Sequence, residues 1–360
     1  MSPHLSANSA LGDRRRFLGG LVFAVLPCLP ACRSLDFALW SPPPALPSAC
    51  EIEKVRDVSY HPGPEAEPRH RLDLYLPRGR GDFPVAMLVH GGGWQIGDKN
   101  SYGLYASVGE FLARHGIAAV LPNYRLSPKV KHPEHVKDIA RAFAWTRENL
   151  AQYGGRVDRL FLIGHSAGGH LVSLLTTDPT YLAAHRLSDS AIAGVISVSG
   201  VYCIAPGKSS GRLGGSTADA FRFDQVFPFK SPSSEFWHLP RWPISGLPLQ
   251  VDPYSPAFGD DPDVRRDASP IFHARRGLPP FLIVHADDEL PTLAEMARDF
   301  HLALTARGVE SELRCIARRN HSSAYLHAVS ADDPLGAAML AFIAKHDAGH
   351  PPLAVTPKGA

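Results

Sequence analysis

A chain of 360 residues, 44% hydrophobic and 20% charged, has the apolar material for a sizeable core and is not a disordered or fibrous protein. Its formal net charge is +2, and the 37 Lys and Arg and 35 Asp and Glu fall to 34 of each once the three arginines and one aspartate of residues 1–31 are set aside. That balance leaves no electrostatic footprint for nucleic acid, and no repeat of 20–50 residues suggests a solenoid or propeller.

The amino terminus reads as an address. Arg14, Arg15 and Arg16 precede an apolar stretch from Phe17 to Ala31, short for a membrane span, so residues 1–31 are expected to be a signal peptide, with ordinary cleavage near Ala31 or an uncleaved anchor as the alternatives to lipidation. The Arg-Arg-x-Phe-Leu order resembles a twin-arginine export signal. Leu29-Pro30-Ala31-Cys32 resembles a lipobox, which makes Cys32 the expected lipidation site and the protein an exported one, periplasmic or membrane-anchored. Residues 32–51, rich in Pro and Ala, read as a tether. Setting Cys28 and Cys32 aside leaves Cys50, Cys203 and Cys315, an odd number, and a core this large requires no disulfide. No CxxC or HExxH motif offers a zinc site, and no metal or cofactor is expected.

From residue 52 the pattern alternates. Strands are predicted at Arg71–Leu76, Val85–His90, Ala118–Tyr124, Leu160–Gly164, Ala193–Ser199, Phe281–Ala286 and Glu312–Ile316. Several are continuous apolar runs, as in strands covered on both faces. Helices are predicted at Tyr102–His115, Pro133–Tyr153, Ser166–Thr176, Thr292–Arg307 and Pro334–His346. This alternation predicts an α/β fold, a doubly wound and mostly parallel sheet in one domain over 52–348. Residues 204–258 break the rhythm with nine aromatics and eight prolines, and read as an inserted cap over the carboxyl ends of the strands. Residues 349–360 read as a tail.

Two motifs carry chemistry. Gly164-His165-Ser166-Ala167-Gly168-Gly169 follows a buried apolar run. A serine must be exposed and deprotonated to attack, and a sharp strand-to-helix turn exposes it if small residues sit two positions either side. Ser166 is the expected nucleophile. His90-Gly91-Gly92-Gly93-Trp94 ends another apolar run, where glycines let backbone N–H groups approach a developing oxyanion. Gly92, Gly93 and Ala167 are the expected donors. The loop has neither the Lys-Ser/Thr nor the GxGxxG spacing of a phosphate cradle.

The remaining partners should follow in the order acid, then base. His321 is the expected base, in a loop past the strand-like Glu312–Ile316, with His327 the alternative. Asp287-Asp288-Glu289 puts three carboxylates after Phe281–Ala286. Asp288 is the expected acid, Glu289 comes next and Asp287 third, and the two not used would cap the loop.

Between Val85 and His321 these segments resemble the α/β-hydrolase superfamily, in its carboxylesterase branch of hormone-sensitive-lipase-like esterases and kynurenine formamidases. The matching residues are His90–Trp94 with Gly97-Asp98-Lys99, Asn123–Leu126, Gly154-Gly155, Gly164–His170 and Ala268-Ser269-Pro270. The resemblance implies Ser166, Asp288 and His321 as a triad, a small-molecule ester as substrate and no cofactor. Asp288–Leu293 and His90–Trp94 also look like kynurenine formamidase segments, so an aryl formamide or another amide is the alternative substrate. A non-catalytic binding protein on the same fold is a third reading.

Overall fold

A computed structural model describes residues 50–204 and 252–347. The expected signal peptide, Cys32, most of the tether, most of the cap and the tail lie outside the described residues. The architecture is an eight-stranded sheet of β1 (Ile52–Ser59), β2 (Arg71–Pro77), β3 (Val85–Val89), β4 (Ala118–Pro122), β5 (Leu160–His165), β6 (Ile192–Val198), β7 (Phe281–Asp288) and β8 (Ser311–Asn320). Their order across the sheet is β1-β2-β4-β3-β5-β6-β7-β8. The β1–β2 and β2–β4 pairs are antiparallel and all others parallel. This is the expected α/β-hydrolase fold.

The alternation of side chains along the strands explains the two-sided core. On β3, Val85, Met87 and Val89 enter one apolar cluster while Ala86 and Leu88 enter the other. On β5, Leu160 and Leu162 divide from Phe161 and Ile163 in the same way. Helix α1 (Leu104–Arg114) and the helix Pro334–Asp347 cover one face. Helices α2 (Glu134–Asn149) and α3 (Ala167–Thr177), with the helix Leu293–Thr305, cover the other. All seven expected strands and all five expected helices form, within a few residues at their ends.

Strand β1 is additional to the sequence reading. Its apolar residues Ile52, Val55 and Val58 are spaced by three: Ile52 and Val55, in regular register, face opposite sides of the sheet, whereas Val55 and Val58 share one side because the β1–β2 register shifts between them, where Asp57 takes φ +55°. A bulge of this kind erases the period by which a strand is recognised. Ions anchor the bulge: Lys99 Nζ lies 2.8 Å from Asp57 and 2.9 Å from the buried Asp73, which also receives Arg56 at 2.6 Å. Lys99 follows the glycine loop, so this network ties the loop to the sheet edge.

The other edge strand, β8, runs four residues further than expected. Ala286 pairs with Ile316 but Asp288 with Asn320, so two steps along β7 are matched by four along β8. The Asp287 carboxylate holds this irregularity, accepting the N–H groups of Arg318 (2.6 Å), Arg319 (2.9 Å) and Asp288 (3.0 Å).

Candidate active site

Ser166 sits between the end of β5 and the start of α3 with φ +55° and ψ −120°, a conformation that a non-glycine residue adopts only under constraint. The constraint is steric and local. A Cβ on Gly164 would lie 2.3 Å from the Gly168 carbonyl oxygen, and one on Gly168 would lie 2.1 Å from that of Val89. The turn therefore packs backbone against backbone, with β3 pressed behind it. Because α3 begins at Ala167, the N–H of Ala167 belongs to the first turn, whose donors have no partner within the helix.

The glycine loop lies against the same turn. A Cβ on Gly91 would meet Ser166 Cβ at 3.0 Å and the His165 carbonyl oxygen at 2.9 Å. Gly92 has φ +112°, and a Cβ there would fall 2.2 Å from the Ile96 carbonyl oxygen, so only glycine fits. Gly92, Gly93 and Trp94 have successive positive φ values. The Gly92 carbonyl turns back to accept the N–H groups of Gln95 and Ile96.

Behind the loop, His90 is fully buried, stacked on Tyr124 with ring centroids 4.3 Å apart. Burial, reinforced by the neighbouring Arg69 charge, holds its pKa down to about 3, so it is neutral. Its Nδ1–H then donates to the Gly91 carbonyl at 2.8 Å, and Nε2 accepts from Arg69 at 3.3 Å. His170, one turn into α3, is likewise kept neutral by burial, at about 3. It donates through Nε2 to the Ala268 carbonyl at 2.7 Å and accepts the Trp94 indole N–H at 3.2 Å. Ala268-Ser269-Pro270 is thus a brace for α3.

The base and acid come from the far side of the site. Asn320 caps the short helix His321–Leu326: its side chain accepts the Ser323 N–H at 2.9 Å, and the Ser323 hydroxyl accepts the Asn320 N–H at 2.9 Å. Such a reciprocal cap stabilises a helix start by about 1 kcal/mol, and here it fixes the backbone that carries His321. The imidazole therefore projects from a first helical turn, not from a loop as expected. His321 is buried, and its Nδ1 lies 2.6 Å from Glu289 Oε1. The alternative base, His327, is exposed and bonds back to the Ser323 carbonyl.

The carboxylate at His321 is not the expected one. Asp288 is exposed at the end of β7, and Asp287 is spent on the β8 irregularity; Glu289 is the residue that turns inward. Beyond the strand's last residue the chain no longer follows the strand's alternation, and the longer Glu side chain reaches the imidazole from one position later. Its other oxygen accepts the Ser199 hydroxyl at 2.5 Å and the Ala286 N–H at 3.1 Å, while Oε1 also accepts the Leu290 N–H at 2.9 Å. Burial opposes its ionisation, but the bonds and charge of His321 and the bond from Ser199 outweigh that and bring its pKa to about 2. Ser199, at φ +50° just past β6, is a site residue the sequence reading missed. Nothing in Ser197–Tyr202 marks it beforehand.

The parts of the site thus converge from four strand ends. The glycine loop follows β3, Ser166 follows β5, Ser199 follows β6 and Glu289 follows β7, all of them parallel neighbours. Parallel strands present their carboxyl ends on one edge, where ligand sites of such sheets form. The chain segment following β8 brings His321 to the same place. One hydrogen bond and one ring contact tie the base to the residue before the nucleophile: His165 Nε2 lies 3.0 Å from the His321 carbonyl oxygen, and the two rings are 5.0 Å apart. Among the described residues no buried His, Cys, Asp and Glu cluster with metal-ligand spacing lies at this site. The one such group among the described residues, Asp178, Asp267 and His273, does not include any of these site residues.

Comparison with known proteins finds esterases. The BD-FAE family model matches residues 72–204, which include the glycine loop and the Ser166 turn. Esterase LipQ of Mycobacterium tuberculosis is 28% identical over 264 residues, covering 71% of this chain and 53% of that protein. Esterase LipC of the same organism is 31% identical over 220 residues, covering 60% and 47%. The chain spans about half the length of these curated relatives. Among solved structures, esterase B from Lactobacillus rhamnosis superposes with a TM-score of 0.62 at 19% identity, covering 84% of this chain and 87% of that one. A truncated carbohydrate esterase from gut microbiota gives 0.60 at 17%, covering 86% and 100%.

Proposed function

We propose that this chain, which belongs to the carboxylesterase branch of the α/β-hydrolases, hydrolyses a small carboxylic ester through Ser166, His321 and Glu289. The observation that carries the reading is the 2.6 Å contact between Glu289 and His321, held beside a serine in the strained turn conformation. Its relatives named as esterases support the same reaction class.

In this mechanism Nδ1–H of His321 is bound to Glu289, which leaves Nε2 as the basic nitrogen. Nε2 removes the Ser166 proton as Oγ attacks the ester carbonyl. The N–H groups of Gly92, Gly93 and Ala167 receive the oxyanion. The imidazolium, stabilised by ionised Glu289, returns the proton to the departing alcohol. Water then repeats the cycle on the acyl-enzyme and releases the acid. Ser166→Ala is expected to abolish hydrolysis of a short p-nitrophenyl ester and labelling by a fluorophosphonate; retained turnover would remove Ser166 from the role.

Export with lipidation at Cys32 belongs to the same proposal and rests on the leader sequence. In a bacterial host, Cys32→Ala should move the protein from the membrane to the soluble fraction. An unchanged distribution would count against lipidation.

A further inference from the structure

One buried polar path joins the two halves of the site, and the proposed triad does not use it. The Gly91 N–H donates to the Tyr105 hydroxyl at 2.7 Å, and that hydroxyl lies 3.2 Å from His165 Nδ1. His165 Nε2 lies 3.0 Å from the backbone carbonyl oxygen of His321. A carbonyl can only accept, so Nε2 carries a proton. Burial, with the His321 charge nearby, holds His165 down to about 3 and hence neutral, so Nδ1 is bare. The Tyr105 hydroxyl must then donate to Nδ1 and accept from Gly91. Every proton in the path is thereby fixed: Gly91 N–H to Tyr105 O–H to His165 N–H to His321 C=O.

Resting on the triad reading above, we infer that Tyr105 and His165 are positioning residues that lock the glycine loop and the base to one another. Both are buried, and Tyr325 closes over them, its ring 5.1 Å from His165 and 5.4 Å from Tyr105. Water is therefore not at hand to replace a lost bond. The path has a physical purpose. The oxyanion donors and the base arrive from different strand ends, and both must hold their places within a few tenths of an ångström as charge develops. A neutral His165 suits this role better than a charged one. A cation with its ring 5.0 Å from the ring of His321 would oppose the imidazolium that forms during attack.

The test is a double-mutant cycle read per active serine, with fluorophosphonate labelling supplying the count. Tyr105→Phe and His165→Leu are each expected to lower kcat about tenfold with KM changed by less than about twofold, the loss that one or two buried hydrogen bonds imply. The double variant should lose about as much as either single one, because each breaks the same path. His165→Gln, which keeps a donor toward the His321 carbonyl, should recover most of the rate. Independently of activity, the Gly91 amide resonance should shift in His165→Leu, two bonds away. Unchanged kcat per labelled serine, or losses that multiply in the double variant, would overturn the inference. If the wild-type enzyme is neither labelled nor active, the esterase reading fails instead, and the Gly91 resonance alone decides whether the path exists.

Discussion

The nucleophile side and the acid–base side of this site are built on opposite principles. Around Ser166 the geometry is imposed by backbone packing: Gly164, Gly168 and Gly91 let main chains touch, and the buried imidazoles of His90, His165 and His170 stay uncharged. Around His321 the geometry is imposed by a charge: ionised Glu289 gathers Ser199, His321 and two backbone N–H groups about itself. The first kind of construction is broken by adding an atom or a proton where neither fits. The second is broken by removing a charge.

Acid should break the neutral side first and with the largest effect. His90, His165 and His170 have folded pKa values near 3, against about 6.5 in an unfolded chain. Between those limits the unfolded state binds more protons, so stability falls as pH drops below about 6.5, by up to about 1.4 kcal/mol per pH unit for each histidine. Glu289 acts in the same direction but lower. Its folded value is about 2, so its contribution is complete above about 4.5 and is lost only as pH falls further. Urea unfolding between pH 7 and 5 should show the histidine slope; a flat profile there would mean the imidazoles are not buried neutral.

Removing the charge tests the other side. Glu289→Gln should lower kcat by about 10³–10⁴, the cost of losing the group that orients the base and stabilises its cation. Asp288→Asn should leave kcat within about twofold, since that side chain faces solvent. Measured on the same ester, the reverse pattern would restore Asp288 to the triad.

The same division explains what the sequence makes legible. Ser166 and the glycine loop are readable because the requirement for small residues is local and written at fixed spacing. His321 is readable from its place after the last strand. The acid is not, because three adjacent carboxylates are sorted by a β7–β8 register shift that sequence periodicity does not reveal. Nor is β1, whose bulge removes its alternation, or Ser199, whose role depends on a residue 90 positions away.

Adding an atom should break the nucleophile side in a measurable but smaller way. Gly168→Ala would drive a Cβ to 2.1 Å from the Val89 carbonyl oxygen, and backbone cannot swing aside as a side chain can. Overpacking of this kind costs about 3 kcal/mol, which for a chain of this size lowers Tm by about 4–5 °C. A melting curve within a degree of wild type would show that the turn has more room than its geometry implies.

The smallest effect belongs to Ser199, and it sharpens the comparison most. Its hydroxyl gives Glu289 one of four hydrogen bonds, so Ser199→Ala leaves the carboxylate ionised and still bound to His321. What is lost is the anchor on the second oxygen, and with it some of the fixed direction of the first. The expected loss in kcat is about fivefold to tenfold at unchanged KM, the value of a single bond to a buried charge. Ser199→Thr should not rescue it fully, because at φ +50° a β-branched residue is strained. If Ser199→Ala instead matched the loss in Glu289→Gln, the carboxylate would depend on its anchor for ionisation as well as aim, and the charge side would be as brittle as the packed one.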